Sequence, residues 1–204
     1  MPTTTNNGWP TPADTDLVKN GADAIRDLGQ AIDTTLGVYS PATPGLVKIN
    51  TTTFSAVASQ SINDVFSTTY DNYLILTSHT NSSAAQDLNL RLRVGGADNS
   101  TASSYVRQLM EASGSTVSGG RTTTDRHVFG VTNDILSNAQ SLTVFNPFIA
   151  QPTVFYSQDL NSRSNAFIAV WGGTHNQSTS YTGFTIFPSA GNITGKITVF
   201  GYSK

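Results

Sequence analysis

The sequence predicts a mainly β protein: a short, coiled-coil-like N-terminal helix followed by an antiparallel, jelly-roll-like β-sandwich head. Three observations carry that expectation. Apolar residues recur at heptad spacing from Val18 to Ile32. From Gly37 onward the chain is rich in Ser, Thr, Asn and Gly, with short β-type runs that return about every dozen positions. Glu occurs once, at Glu111, and Lys only at positions 19, 48, 196 and 204, so few residues suit an exposed helix.

The chain opens on a polar arm, residues 1–13, whose one large apolar side chain is Trp9. An extended arm offers no local core for an indole, so Trp9 must insert elsewhere, into a docking partner or into the collar of an oligomer. Thr11, Pro12 and Asp14 supply a hydroxyl cap, a first-turn proline and a carboxylate near the positive end of a helix. The helix predicted over 14–37 sets Val18, Ile25 and Ile32 on one heptad position, and Gly21, Leu28 and Thr35 on the position three residues later. Leu17, Ala24 and Ala31 flank that seam, and Gly37 is placed to stop the helix in the left-handed conformation. Three heptads are marginal alone in water, so the stripe needs a partner: sister chains or the chain's own β domain. β-branched residues at the first seam position with Leu at the second favour two strands without fixing the number.

Residues 38–45 contain Pro41 and Pro44 and read as a hinge to the head, 46–204. Leu88, Leu90, Leu92 and Val94 alternate with Asn89, Arg91 and Arg93, the mark of a strand with one buried and one wet face. Gly95-Gly96 begins its turn. Tyr70–Thr77 and Ala166–Trp171 carry large residues on both faces, as central strands do. Phe184–Phe187 and Ile193–Tyr202 around Pro188–Asn192 read as a hairpin. Polar, Gly-containing stretches 95–103 and 112–125 read as apical loops.

Composition excludes several function classes. Charged residues are 12% of the chain, about half the usual ~25%, and hydrophobic residues 37%. With a net charge of −2 and scattered arginines, no nucleic-acid footprint is expected. No apolar run approaches the ~20 residues of a membrane span, so no membrane insertion is expected, and the start carries no secretory pattern. Cysteine is absent, which removes disulfides and thiolate metal sites. His79, His127 and His175 stand alone in sequence, so no metal site or cofactor is predicted. No Gly-x-Ser-x-Gly is present, and nothing pairs Asp87, Asp98, Asp125, Asp134 or Asp159 for sugar hydrolysis; no catalytic residue is assigned. The best binding candidate is Trp171-Gly172-Gly173-Thr174-His175-Asn176-Gln177 with Tyr181, where a strand runs into a polar loop. Trp171, His175, Asn176 and Tyr181 there are either a glycan-binding surface or, for the two aromatics, ordinary core.

The run Asn7-Gly8-Trp9-Pro10-Thr11-Pro12-Ala13-Asp14-Thr15-Asp16-Leu17-Val18-Lys19-Asn20-Gly21-Ala22-Asp23-Ala24-Ile25-Arg26 resembles the N-terminal module of bacteriophage virion fibre and minor tail proteins. Those proteins place an aromatic, a Pro-Ala-Asp-Thr-Asp segment and a Val-Lys-x-Gly-Ala-x-Ala-Ile-Arg helix before a β head. Tyr70–Ile75, Leu88–Arg93 and Val199–Tyr202 resemble the same group more loosely. The resemblance implies a structural protein of a tailed phage, made in the host cytoplasm and assembled on the virion surface. It implies a homotrimeric tail fibre or tail-tip protein, with Val18, Gly21, Ile25, Leu28 and Ile32 in the stalk. Trp9 would dock to another virion protein, and the heads would face outward toward host-surface glycan. A capsid head fibre or decoration protein is the alternative, and a glycan depolymerase a remote one.

Overall fold

A computed structural model describes residues 2–13, 17–39, 45–83, 86–132, 137–161 and 167–204. The chain divides into two units, Met1–Pro44 and Gly45–Lys204.

In the first unit the arm is not extended. Residues 2–11 close on themselves: Thr4 N donates to Trp9 O (2.9 Å), Gly8 N to Thr4 O (3.0 Å) and Thr11 N to Pro2 O (2.8 Å). Thr3 and Pro10 form an antiparallel bridge, and Gly8 supplies the positive φ of 66° that the turn requires. The helix also starts later than Thr11 predicts. Leu17 is in extended conformation without a side-chain cap, Val18–Asn20 form one 3-10 turn, and the α-helix α1 spans Gly21–Tyr39. The stretch around Asp14 lies outside the described residues. Gly37 does not stop the helix; it is helical, without positive φ, and α1 continues through Val38 and Tyr39. A lone Gly inside a helix costs only about 1 kcal/mol, which a two-residue extension tolerates. The remainder of the proposed hinge, 40–44, is outside the described residues. No described helix is long and apolar enough to cross a membrane.

The second unit holds two antiparallel sheets. The larger has eight strands in the order β1 (Leu46–Val57), β13 (Ile193–Tyr202), β3 (Asn72–Asn81), β9 (Asn138–Phe145), β10 (Thr153–Asn161), β11 (Phe167–His175), β6 (Tyr105–Ser113) and β7 (Thr116–Thr124). The smaller runs β2 (Gln60–Ile62), β12 (Gly183–Pro188), β4 (Gln86–Val94) and β5 (Ala97–Asp98), with β8 (His127–Thr132) also paired to β4. One cluster joins inward residues of both sheets, among them Tyr73, Ile75, Leu142, Val144 and Val199 from the larger and Leu88, Leu90, Leu92, Phe129, Phe184 and Ile186 from the smaller. That shared core makes the unit a β-sandwich. Each fully buried Leu, Ile or Phe contributes roughly 1.5–3 kcal/mol of hydrophobic stabilisation relative to exposure.

Several local readings hold. Leu88, Leu90 and Leu92 are buried, while Arg91 and Arg93 reach the wetter side and pair with Asp125 and Asp98; Asn89, expected on that side, is instead buried with its amide donating to the Asp87 and Phe187 carbonyls, and Val94, expected inside, is exposed. Gly95 and Gly96, at φ 59° and 79°, form the two-residue turn into β5. β3 and β11 lie inside the larger sheet with neighbours on both sides.

Two readings fail. β12 and β13 do not pair: β12 lies between β2 and β4, and β13 between β1 and β3. Ser189–Asn192 therefore arches from one sheet to the other, held by Ser189 N to Asp87 O (3.0 Å) and Asn192 N to Ser82 Oγ (2.9 Å). A short Gly-containing connection suits an arch as well as a hairpin, and local sequence does not separate them. Most of the stretch 112–125 is strand, the end of β6 and the edge strand β7. An edge strand with its side chains in water has the Ser, Thr and Gly composition of a loop.

Candidate functional site

The seam residues on the helix fare unequally. Leu28 and Ile32 are half-buried, as is Gly21, and Ala24 is buried. Val18, in the 3-10 turn, is 96% exposed; on α1 Ile25 is 68% and Leu36 59% exposed, and at 100° per residue these two fall on one side of the helix axis. The arm hairpin covers a different face. Trp9 Nε1 donates to Thr35 Oγ1 at 2.9 Å, and that hydroxyl donates on to the Ala31 carbonyl at 2.8 Å. Asn7, Gly8 and Trp9 share a cleft with Gln30, Ala31 and Thr34. Trp9 is thus half-buried on its own helix, which corrects the expectation that the arm offers it no local partner.

In the head, strand periodicity decides the fate of the predicted glycan surface. β11 does not end at Trp171 but runs through Gly172 and Gly173 to His175. Side chains alternate, so Trp171 and His175 share the inward face with Phe167 and Ala169. Trp171 is buried with Val128, Phe167 and Ala169, beneath the Arg107 guanidinium at 4.9 Å. His175 and Tyr181 are fully buried and bonded to each other, His175 Nε2 to Tyr181 Oη at 2.6 Å. Asn99 Nδ2 also donates to the Tyr181 hydroxyl, at 2.7 Å. Trp171 and Tyr181 are core, as the alternative reading of the two aromatics has it, and His175 is buried with them, so none of the three forms a glycan surface. Asn176 alone is exposed, and it ties the loop to Ser103 and Ser104 through their carbonyl oxygens.

These residues belong to an inward polar and aromatic belt. The His127 ring stacks on Phe155 at 4.5 Å, and the Tyr105 ring stacks on His175 at 4.1 Å. Thr77 Oγ1 donates to Gln140 Oε1 (2.6 Å), Gln140 Nε2 to Asp159 Oδ1 (2.8 Å) and Val131 N to Asp159 Oδ2 (2.8 Å). Burial pushes His79 down to about 4 and His127 down to about 3, the latter with a smaller contribution from the Arg107 charge. Burial likewise lowers His175 to about 4, against a smaller upward push from the Ser104 backbone. All three are neutral at pH 7. No group of His, Asp and Glu suited to a metal ion occurs among the described residues.

The outward face of the same sheet is different in kind. Registered residues Leu160, Ile168, Ala112 and Val117 stand side by side across β10, β11, β6 and β7. The next row holds Gln158, Val170, Met110 and Gly119, and the third Tyr156, Gly172, Gln108 and Arg121. Over Gly172 lies a shallow cleft of about 440 Å³, edged by Val106, Gln108, Arg121, Val154, Tyr156 and Thr174. The sequence marks β11, but the large side chains it offers there point inward; the outward aromatic, Tyr156, lies on the neighbouring strand. Its alternation with Phe155 and Ser157 was the available signal.

No family model and no curated protein matches the chain. Among solved structures it is similar to galectin LEC-6 of Caenorhabditis elegans, at 11% identity, covering 74% of this chain and 96% of that one, with a TM-score of 0.32. A similarity that loose carries no argument about fold or ligand.

Proposed function

We propose that the protein is a structural component of a tailed phage particle, a homotrimeric tail fibre or tail-tip protein with a jelly-roll-like head. The observation that carries the reading is the uncovered apolar side of the helix, Val18, Ile25 and Leu36, which one chain leaves in water. Three helices meeting along that side form a short coiled coil and bury it. The sequence resemblance over residues 7–26 supports the same reading and supplies the number three. The arm hairpin, with Trp9 at its base, docks the trimer on another virion protein. Three outward heads on one stalk then bind a host surface at high effective concentration, so weak single-head contacts sum to useful avidity.

Light scattering tests the reading. The full chain is expected at three times its 21.6 kDa mass, and the Ile25→Asp variant and a chain beginning at Gly45 are expected at one chain each. A monomeric full-length protein overturns it. Trimers present in many copies per particle would move the attachment from the tail to the capsid, making it a head fibre or decoration protein.

A further inference from the structure

Gly172 sits where a glycine is costly, inside β11, a central strand of the larger sheet. Its neighbour Gly173 has a packing reason: a Cβ there would press on the His127 ring and the Val106 carbonyl. Gly172 has none. A Cβ at 172 would meet nothing within 4 Å, and its φ lies outside the left-handed region. The register through β10, β11 and β6 is unbroken, so no bulge needs it either. A strand glycine without bulge, strain or crowding marks a place where another molecule approaches the backbone.

The groups around the gap define that molecule. Tyr156 and Gln108 flank Gly172 from the two neighbouring strands, about 10 Å apart at the usual strand spacing, which is room for one six-membered ring. Tyr156 is 44% exposed although it lies in mid-strand. Gln108 and Thr174 bring hydrogen-bonding groups to the rim, and Arg121 brings a cation. Among the described residues Arg121 has no ion-pair partner, and no carboxylate lines the cleft. An aromatic face, neutral hydrogen-bonding groups and an unopposed guanidinium match a sugar ring that carries a carboxylate.

We propose that the cleft over Gly172 binds an acidic pyranose, such as a hexuronic or sialic acid residue of a cell-surface glycan. The sugar's apolar face lies on Tyr156, its hydroxyls meet Gln108 and Thr174, and its carboxylate meets Arg121. As an account of host binding it rests on the outward-head reading above; the cleft itself does not need a trimer.

Saturation-transfer NMR on the full chain tests it, with methyl β-glucuronide, methyl α-galacturonide and N-acetylneuraminic acid as probes and methyl β-glucoside as the neutral control. The acidic probes are expected to be saturated and the neutral one weakly or not at all. Tyr156→Ala should weaken binding by about tenfold, the scale of one aromatic contact with its buried area. Gly172→Leu should abolish binding by filling the floor, and Arg121→Gln should remove the preference for acid over neutral sugar. No saturation by any probe, equal saturation of acidic and neutral sugars, or binding unchanged in all three variants overturns the proposal. So does loss of oligomer mass in Gly172→Leu, which would make the gap a contact between copies. A trimer without sugar binding rejects the cleft and spares the fibre; a sugar-binding monomer does the reverse.

Discussion

The head and the arm–helix unit treat their apolar side chains in opposite ways. In the head, Tyr73, Ile75, Leu88, Phe129, Phe184 and Ile197 are sealed between two sheets. Among the described apolar residues of the helix only Ala24 is buried, while Leu17, Val18, Ile25 and Leu36 remain in water. The head contains the core that its folding needs. The helix carries an apolar side that the arm of its own unit does not cover. The same contrast appears in the glycines. In the head Gly183 is held by the Ile62 carbonyl and Gly195 by His79, whereas Gly21, Gly29 and Gly37, the glycines of the helix, meet nothing.

Acid should separate the two units most sharply. All three histidines lie in the head. Above pH 6.5 His79 and His127 are neutral folded or unfolded and contribute no pH dependence. Below 6.5 the unfolded head takes up protons that the folded head refuses until about 4 and about 3. Stability therefore falls with pH, by at most about 1.4 kcal/mol per pH unit for each of these groups. Near-UV circular dichroism should report loss of the head across that window, with His79→Phe or His127→Phe shifting the transition to lower pH. An acid midpoint unmoved by both substitutions would remove His79 and His127 from the account.

Phe155→Ala comes next. Its ring is buried against His127 and Tyr105, and truncation should lower head stability by about 3–5 kcal/mol in a denaturant titration while leaving the helical signal in place. Loss of both signals together would dissolve the contrast between the units. The smallest pair of effects has opposite signs. Gly183→Ala drives a methyl group into the Ile62 carbonyl and should cost about 1–3 kcal/mol of head stability. Gly37→Ala enters open space in the helix and should raise its stability by about 1 kcal/mol, read as a higher helical melting point.

How far residues announce structure differs between the units for the same physical reasons. The alternation of Leu88, Leu90 and Leu92 and the Gly95-Gly96 turn are local signals, and the head shows both. The partner of β13 is not local: it pairs with β1, so Ile197 lies opposite Thr52, and nothing near Pro188 distinguishes an arch from a hairpin. At Trp171 the β-type run marks the strand without fixing its phase. A shift of one residue exchanges Trp171 and His175, which are buried, for Gly172 and Thr174, which border the cleft. In the helix the heptad spacing is plain, but its first layer, Val18, lies in a 3-10 turn that follows Leu17, a cap without a side-chain hydrogen bond. The arm's contact with Thr35 left no periodic trace, since a hairpin of Pro, Thr, Asn and Gly looks like any polar tail.

The position of β13 between β1 and β3 also sets an order of events during synthesis. The ribosome delivers the helix early and the strand that closes the larger sheet last, ending at Tyr202. Until that strand emerges, β1 has no neighbour in its sheet, so the larger sheet stays open until the last strand of the head has been made.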